Sequence, residues 1–378
     1  MDGLAAILRQ IDAARVLDLL KDAVDAYSPS WAEDPATRVF AAAIARAGIP
    51  CRLEPVPGNP GNPRANLVVE MGPRPASLLW VGHVDTVTMP DDTPDHGARL
   101  DGDVLHGLGT ADMKSGCAAM VEALTAVAAS EVPLRRGLVA AFVVGEEEYG
   151  DGSRALLQRD PPPLTVVGEP TGLVPCTTHY GYLECLLSAS GTGAHAALPE
   201  IGRNAIQAML EWLSAGLRAL PTLPDADTLA INLRNIQGGG EKFVVPDRCE
   251  ALLDVHLPPD GDAGAVMDLL RRAGEDLRLA DVQFGLRPTF LAAGYRLDPS
   301  DPVLAPVHDA FSAVGRPFAP GIFRSHSDAA MFREAGSSPV ICGPGRLETA
   351  HTADERVSIA EVIDAARLYA AMIHAACG

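Results

Sequence analysis

The sequence predicts an α/β protein with a mostly parallel sheet flanked by helices, interrupted by one inserted α+β unit. The first observation is a set of apolar runs, at 78–83, 137–145, 164–168 and 339–343, each bounded by turn residues. Such continuous runs suit strands buried on both faces of a helix-covered sheet. The second is helical periodicity in the stretches between them. The third is a change of pattern over 181–292, after which the first pattern resumes.

Taken in order, 4–26 has helical periodicity and Ser28-Pro29-Ser30 breaks it. A second helix is expected over 35–47, ended by Gly48-Ile49-Pro50. A Pro/Gly/Asn turn region at 55–63 precedes a short strand at 66–70 and then the strand ending on His83. A polar loop over 90–105 leads to the glycine-flanked stretch 107–116, which opens a helix over 115–130. Next come the strand running into Glu146-Glu147-Glu148, a helix near 152–158, and the strand ending at Glu169-Pro170. The inserted stretch reads strand 182–189, a Gly-rich loop 191–202, helix 204–220, strands 228–236 and 248–257, helix 263–277 and strand 282–291. That β-α-β-β-α-β order is ferredoxin-like. Helix 302–314, strand 338–343 and a C-terminal helix 359–376 complete the chain. The predicted division is 1–180 with 293–378 as one discontinuous domain and 181–292 as the insert.

The chain has 378 residues, enough for one or two domains with a sizeable core. A net charge of −19 argues against nucleic acid or an anionic membrane as partner, since both need basic surface. The seven cysteines are scattered without a CxxC and read as reduced thiols of a cytoplasmic protein. The first residues lack a basic n-region and an unbroken apolar core, so no signal peptide is expected. No apolar run approaches the length of a membrane span.

Open α/β sheets collect their chemistry at the carboxyl ends of the strands. Here those ends deliver His83, the glutamate triplet and Glu169, with Asp112 and His351 on loops nearby in sequence order. Zinc binds His nitrogen and carboxylate oxygen and leaves a position for water in catalytic sites. Two ions roughly 3.5–4 Å apart share a bridging carboxylate and need about two further ligands each. His83, Asp112, Glu147, Glu169 and His351 meet that requirement. Glu146 is left over as a general base, and Asp85 could hold the second ring nitrogen of His83.

Gly82-His83-Val84-Asp85-Thr86, Gly109-Thr110-Ala111-Asp112-Met113-Lys114-Ser115-Gly116, Glu146-Glu147, Val167-Gly168-Glu169-Pro170-Thr171 and Gly343-Pro344-Gly345 with Ala350-His351-Thr352 and Glu355 carry a resemblance. Together they resemble the dinuclear zinc amidohydrolase family of acetylornithine deacetylase, succinyl-diaminopimelate desuccinylase, aminoacylase-1 and the glutamate carboxypeptidases. The resemblance runs through essentially the whole chain. It implies a zinc-exopeptidase-like catalytic domain with two Zn2+ per chain, Co2+ or Mn2+ being possible substitutes. It implies that Asp112 bridges the ions, that His83 and Glu169 complete one site, and that Glu147 and His351 complete the other. Glu146 would be the general base for water activated between the ions. A slip of one residue, with Glu147 as base and Glu148 as ligand, stays open. The insert resembles the family's dimerisation (lid) domain. Its loop around Gly193-Ala194-His195 would supply His195 to the partner subunit of a homodimer, as oxyanion stabiliser.

Some positions depart from the family pattern. Phe243 stands where asparagine is common, His256 where a carboxylate-holding arginine is common, and His326 where glycine is usual. Arg203, Arg324 and Arg346 are candidates to take over carboxylate binding, and Asp328 reads as a helix cap or a pocket residue. The implied substrate is an N-acyl amino acid or related small amide. A carboxypeptidase or dipeptidase on the same machinery is the alternative. A non-catalytic dimeric binding protein is a third reading. Its sequence signature would be loss of a metal ligand or of Glu146, and neither is lost.

Overall fold

The computed structural model describes residues 3–58, 63–89, 97–223, 228–240 and 243–378. Residues 59–62 of the expected turn region and 90–96 of the expected polar loop lie outside the described residues, as do Glu241 and Lys242. Packing divides the chain into two compact units. One comprises Met1–Thr177, Leu297–Phe323 and Ser327–Gly378; the other comprises Thr178–Arg296 with Arg324–His326.

In the first unit the apolar runs form the strands Gly137–Val143, Ala76–His83, Leu164–Pro170 and Ser338–Gly343, side by side in that order. All three pairings between them are parallel. Arg64–Met71 and Cys51–Val56 extend the sheet antiparallel on the Gly137–Val143 side, so the sheet is mixed, with a parallel centre. The central strands are almost wholly buried, as their unbroken apolar sequence requires. The helices Lys114–Ser130 and Ile359–Cys377 pack on each other and on the Ala76–His83 strand. Trp80 anchors that contact, with Phe142 at 5.4 Å and Tyr369 at 5.8 Å between ring centroids. Close approach fixes some small residues: a Cβ on Gly343 would lie 2.0 Å from the Gly168 carbonyl oxygen.

The helical stretch expected over 4–26 is two helices, Gly3–Leu8 and Ala13–Asp25. Asp12 restarts the second, accepting the amides of Ala14 and Arg15 on its carboxylate. The polar loop expected over 90–105 contains two short strands, Arg99–Asp101 and Val104–His106, joined by a turn at Gly102 with φ 60°. Arg356–Ser358 adds a third strand to this hairpin. Six of the cysteines are buried free thiols and Cys51 is exposed. No helix among the described residues is long and apolar enough to cross a membrane.

The second unit is an antiparallel sheet in the order Ala230–Gly238, Arg248–Leu257, Gly181–Ser190, Gln283–Ala292. Its helices, Ala205–Ala219 and Ala263–Glu275, pack against one face, and the buried contacts include Leu183, Leu187, Trp212, Leu253 and Leu270. Side chains of Gly181–Ser190 alternate between buried and half-buried, as a one-face core demands. Tyr182 alternates away from that core, next to His256 at 5.0 Å and stacked on His326 at 5.8 Å.

His179 in this unit is fully buried and stacks on Tyr295 at 5.1 Å. Burial, aided by the neighbouring His326, pushes its pKa down to about 3. A histidine kept neutral by the fold but free to protonate when unfolded favours unfolding as pH falls. The penalty begins below the ordinary value of 6.5 and stops growing below about 3. Between pH 7 and pH 5 this residue alone is expected to remove about 2 kcal/mol of stability. His179→Phe should flatten that slope, which unfolding midpoints measured against pH in both proteins will check.

Candidate metal centre

His83 ends its strand pointing into a cluster of carboxylates. Its Nε2 lies 3.0 Å from Asp112 Oδ1 and 3.8 Å from Glu169 Oε2. The ring is turned by its other nitrogen, Nδ1, which lies 3.0 Å from the main-chain oxygen of Asp85. The Asp85 carboxylate is farther, at 3.6 Å. The expected side-chain orienter of His83 is therefore mainly a carbonyl. The Asp85 carboxylate has a different set of donors: Ser30 Oγ at 2.8 Å, the Glu146 amide at 3.3 Å and the Glu147 amide at 3.1 Å. It pins the turn on which the two glutamates stand.

That turn starts at Gly145, with φ 75°, where a Cβ would meet Asp151 Oδ1 at 1.9 Å and Arg64 Nη2 at 2.5 Å. Arg64 is itself buried between Glu33 and Asp151, and its guanidinium lies 4.3 Å over the Trp31 ring. Main-chain donation from Tyr149 and Gly150 to the Gly145 oxygen closes the turn. Glu147 then meets His351, with Nε2 at 3.1 Å from its carboxylate. Glu148, the ligand of the slipped register, is exposed and outside the cluster. His351 has φ 59°, a left-handed conformation that costs a non-glycine residue roughly 1 kcal/mol.

Asp112 faces both groups. Its Oδ2 lies 3.4 Å from His351 Nε2, while its Oδ1 faces His83. Two sets of donor atoms could each hold a metal ion: His83, Asp112 and Glu169, and Asp112, Glu147 and His351. Each set offers one imidazole and two carboxylates, the donor chemistry of a catalytic zinc site with a position left for water. Burial opposes ionisation of Asp112, but His351 and His83 outweigh it and hold its carboxyl well below the usual range. Glu146 is half-buried beside them; burial and the Glu169 charge raise its pKa well above that of an ordinary carboxyl.

Further supports surround the cluster. Glu355 accepts the amides of Ala111 and Asp112, and burial pushes its pKa up to about 7. Lys114 is buried and donates to the carbonyls of Ala23 and Ala26. Asp328 does not cap its helix with its side chain; it accepts from Ser153 Oγ at 2.5 Å, and burial raises its pKa to about 6. No pattern in the sequence marks these pairings, because each is a side chain meeting main chain or a distant hydroxyl.

Arg346 is exposed in the first unit, its main chain bridged to Thr171, and the remaining candidate residues form two groups in the second unit. Around the Gly-rich loop, His195 accepts the Ala197 amide on Nδ1 and Phe243 is exposed, its carbonyl accepting from Ala196. Arg203 spends its guanidinium on the Ala280 and Gly202 carbonyls and on Asp281. The second group is the ring cluster of Tyr182, His256, Phe290 and His326. His256 Nδ1 is buried without a hydrogen-bond partner among the described residues, and burial lowers the pKa of the ring. Arg324 lies over the Tyr180 ring at 5.8 Å.

Known proteins resemble the chain along most of its length. It is 27% identical over 347 residues to an acetylornithine deacetylase of Vibrio cholerae, covering 85% of each chain. It is 29% identical over 318 residues to a probable carboxypeptidase of Aspergillus terreus, covering 79% of this chain and 70% of that one. Its fold matches the Saccharomyces cerevisiae di-peptidase Dug1p with a TM-score of 0.80 at 14% identity, over 99% of both chains. The sequence pattern of Peptidase family M20/M25/M40 matches residues 79–375, and the chain belongs to that family of hydrolases.

Proposed function

We propose that this protein is a dinuclear metal-dependent amidohydrolase that cleaves the amide bond of an N-acyl amino acid or related small amide, in the manner of an acetylornithine deacetylase. The observation that carries the reading is Asp112, whose two oxygens face two histidines in two donor sets. Zinc is the expected metal, with cobalt or manganese as substitutes, because both sets combine imidazole with carboxylate. Ions bound there would polarise the amide carbonyl and make water a better acid. The chain's own residues orient and move protons. Asp85 holds the amides of Glu146 and Glu147, so the main chain that carries the Glu146 side chain is fixed beside the cluster. Glu146 belongs to neither donor set, which leaves it free to act as a base that takes a proton from water and returns it to the leaving nitrogen.

In this reading 1–180 with 293–378 is the catalytic domain and 181–292 a dimerisation domain of a cytoplasmic homodimer. His195 Nδ1 accepts the Ala197 amide, which leaves Nε2 as the protonated nitrogen, the form a hydrogen-bond donor to an oxyanion needs. A monomer by light scattering with full activity would remove this part of the proposal. Substrate recognition would depart from an arginine grip. His256 is partly buried and held towards its neutral form, so it cannot replace a permanently charged guanidinium. Release of an amino acid from a small peptide is the second reading, favoured by the similarity to the probable carboxypeptidase. The test is a hydrolysis panel of N-acetyl, N-succinyl and N-formyl amino acids and dipeptides, with zinc or cobalt supplied. N-acyl substrates with a bulky or modified amine portion are expected to give the highest kcat/KM, above N-acetylornithine. Faster turnover of dipeptides would move the function to the second reading.

A further inference from the structure

Glu355 is a buried carboxylate to which the proposed chemistry gives no task. It directly precedes the Arg356–Ser358 strand, on the same loop as His351. That strand pairs with Val104–His106, and the ladder continues where the Gly107 amide donates to the Glu355 oxygen at 3.1 Å. The pairing carries the Glu355 side chain against the loop that holds Asp112. Its Oε1 accepts the Ala111 amide at 2.8 Å and the Asp112 amide at 3.0 Å. One oxygen therefore grips two consecutive amides at the residue whose own oxygens face His83 and His351.

For the fold alone an acid here brings gains and costs: the buried Lys114 charge and the Gly109 amide lie within its reach and favour it. Oε2 is buried without a hydrogen-bond partner among the described residues, and the carboxylate lies within reach of the Asp112 charge. An unpartnered buried oxygen and a like charge both cost stability. What the arrangement secures is geometry. The bridge between the donor sets, Asp112, and one of their histidines, His351, stand on separate loops, and Glu355 ties those loops together.

We propose that Glu355 is a positioning residue for the metal centre, locking the Ala111–Asp112 main chain to the His351 loop so that the two Asp112 oxygens keep their separate aims. The inference rests on reading Asp112 and His351 as metal-holding residues. Partners that orient metal ligands typically change affinity 10–100-fold when removed.

The test is zinc titration against a competing chromophoric chelator for wild type, Glu355→Ala and Glu355→Gln. It is paired with kcat and KM, and with the unfolding midpoint of ion-stripped protein. Glu355→Ala is expected to bind zinc about 10–100-fold more weakly and to lose kcat with KM little changed. Glu355→Gln keeps an oxygen for the two amides and should restore most of both. If Glu355→Ala does not fold, Glu355→Asp, too short to reach both amides, is judged by the same affinity loss. Wild-type zinc affinity in the alanine variant would overturn the proposal. So would a loss shared in full by glutamine that follows a lowered midpoint of the ion-stripped protein. A wild-type protein that binds no zinc would overturn the underlying reading of the site, and this inference with it.

Discussion

Glu146→Gln is expected to lower kcat by about 10²–10⁴-fold while the protein keeps its bound metal. Glutamine matches glutamate in shape and can still accept a hydrogen bond, but it cannot take a proton from water. Glu146 belongs to neither donor set, whereas its neighbour Glu147 lies 3.1 Å from His351. The two substitutions should therefore separate. Glu147→Gln should reduce metal content, and Glu146→Gln should reduce turnover only. Metal per chain and kcat at saturating substrate, measured on both variants, decide the matter. Heavy metal loss in Glu146→Gln with little in Glu147→Gln would reverse the assigned roles.

Asp112→Ala should have the larger effect on composition, since it removes the one side chain common to both donor sets. Loss of both ions is expected, where His351→Ala or Glu169→Ala should weaken mainly one. Turnover should fall by at least about 10³-fold, because several kcal/mol of charge stabilisation go with the metal. Removing Asp112 also leaves the buried His83 without its nearest carboxylate, at 3.0 Å. The check is metal stoichiometry after dialysis against buffer containing a low level of free zinc. Full occupancy in the alanine variant would refute a shared bridge.

Much of the fold is legible in the sequence alone. The central strands announce themselves because burial on both faces demands unbroken apolar sequence, as in Leu78-Leu79-Trp80-Val81. The ferredoxin-like order of the second unit is legible because alternation and helical period differ so plainly there. Among the candidate ligands His83, Glu147 and Glu169 stand out because few residue types bind metal and these follow apolar runs, whereas Asp112 and His351 lie on loops and are legible only through the motifs around them. Less legible is anything short or exposed. Arg99–Asp101 has three residues, all exposed, and Cys51–Val56 alternates only weakly and contains a proline. Both become strands through their partners. The supporting shell was hidden for another reason. Asp85 meets the His83 ring mainly through its main-chain oxygen, while its carboxylate holds the Glu146 and Glu147 amides, and partnerships made with main chain have no sequence signature.

The turn from Gly145 to Gly150 carries a consequence for how this site tolerates change. Its length is fixed at both ends, by Asp85 on the amides of Glu146 and Glu147 and by the Gly145 oxygen accepting from Tyr149 and Gly150. Glu146 and Glu147 are chemically identical, so only their count from Gly145 distinguishes them. On the proposed roles, a residue inserted after Gly145 would stand in the place of the base and push Glu146 into that of the metal ligand, whereas loss of one glutamate of the triplet would keep both places filled and shorten the turn. The segment would act as a ruler: substitution of the exposed Glu148 is expected to be absorbed, and a change of length is not.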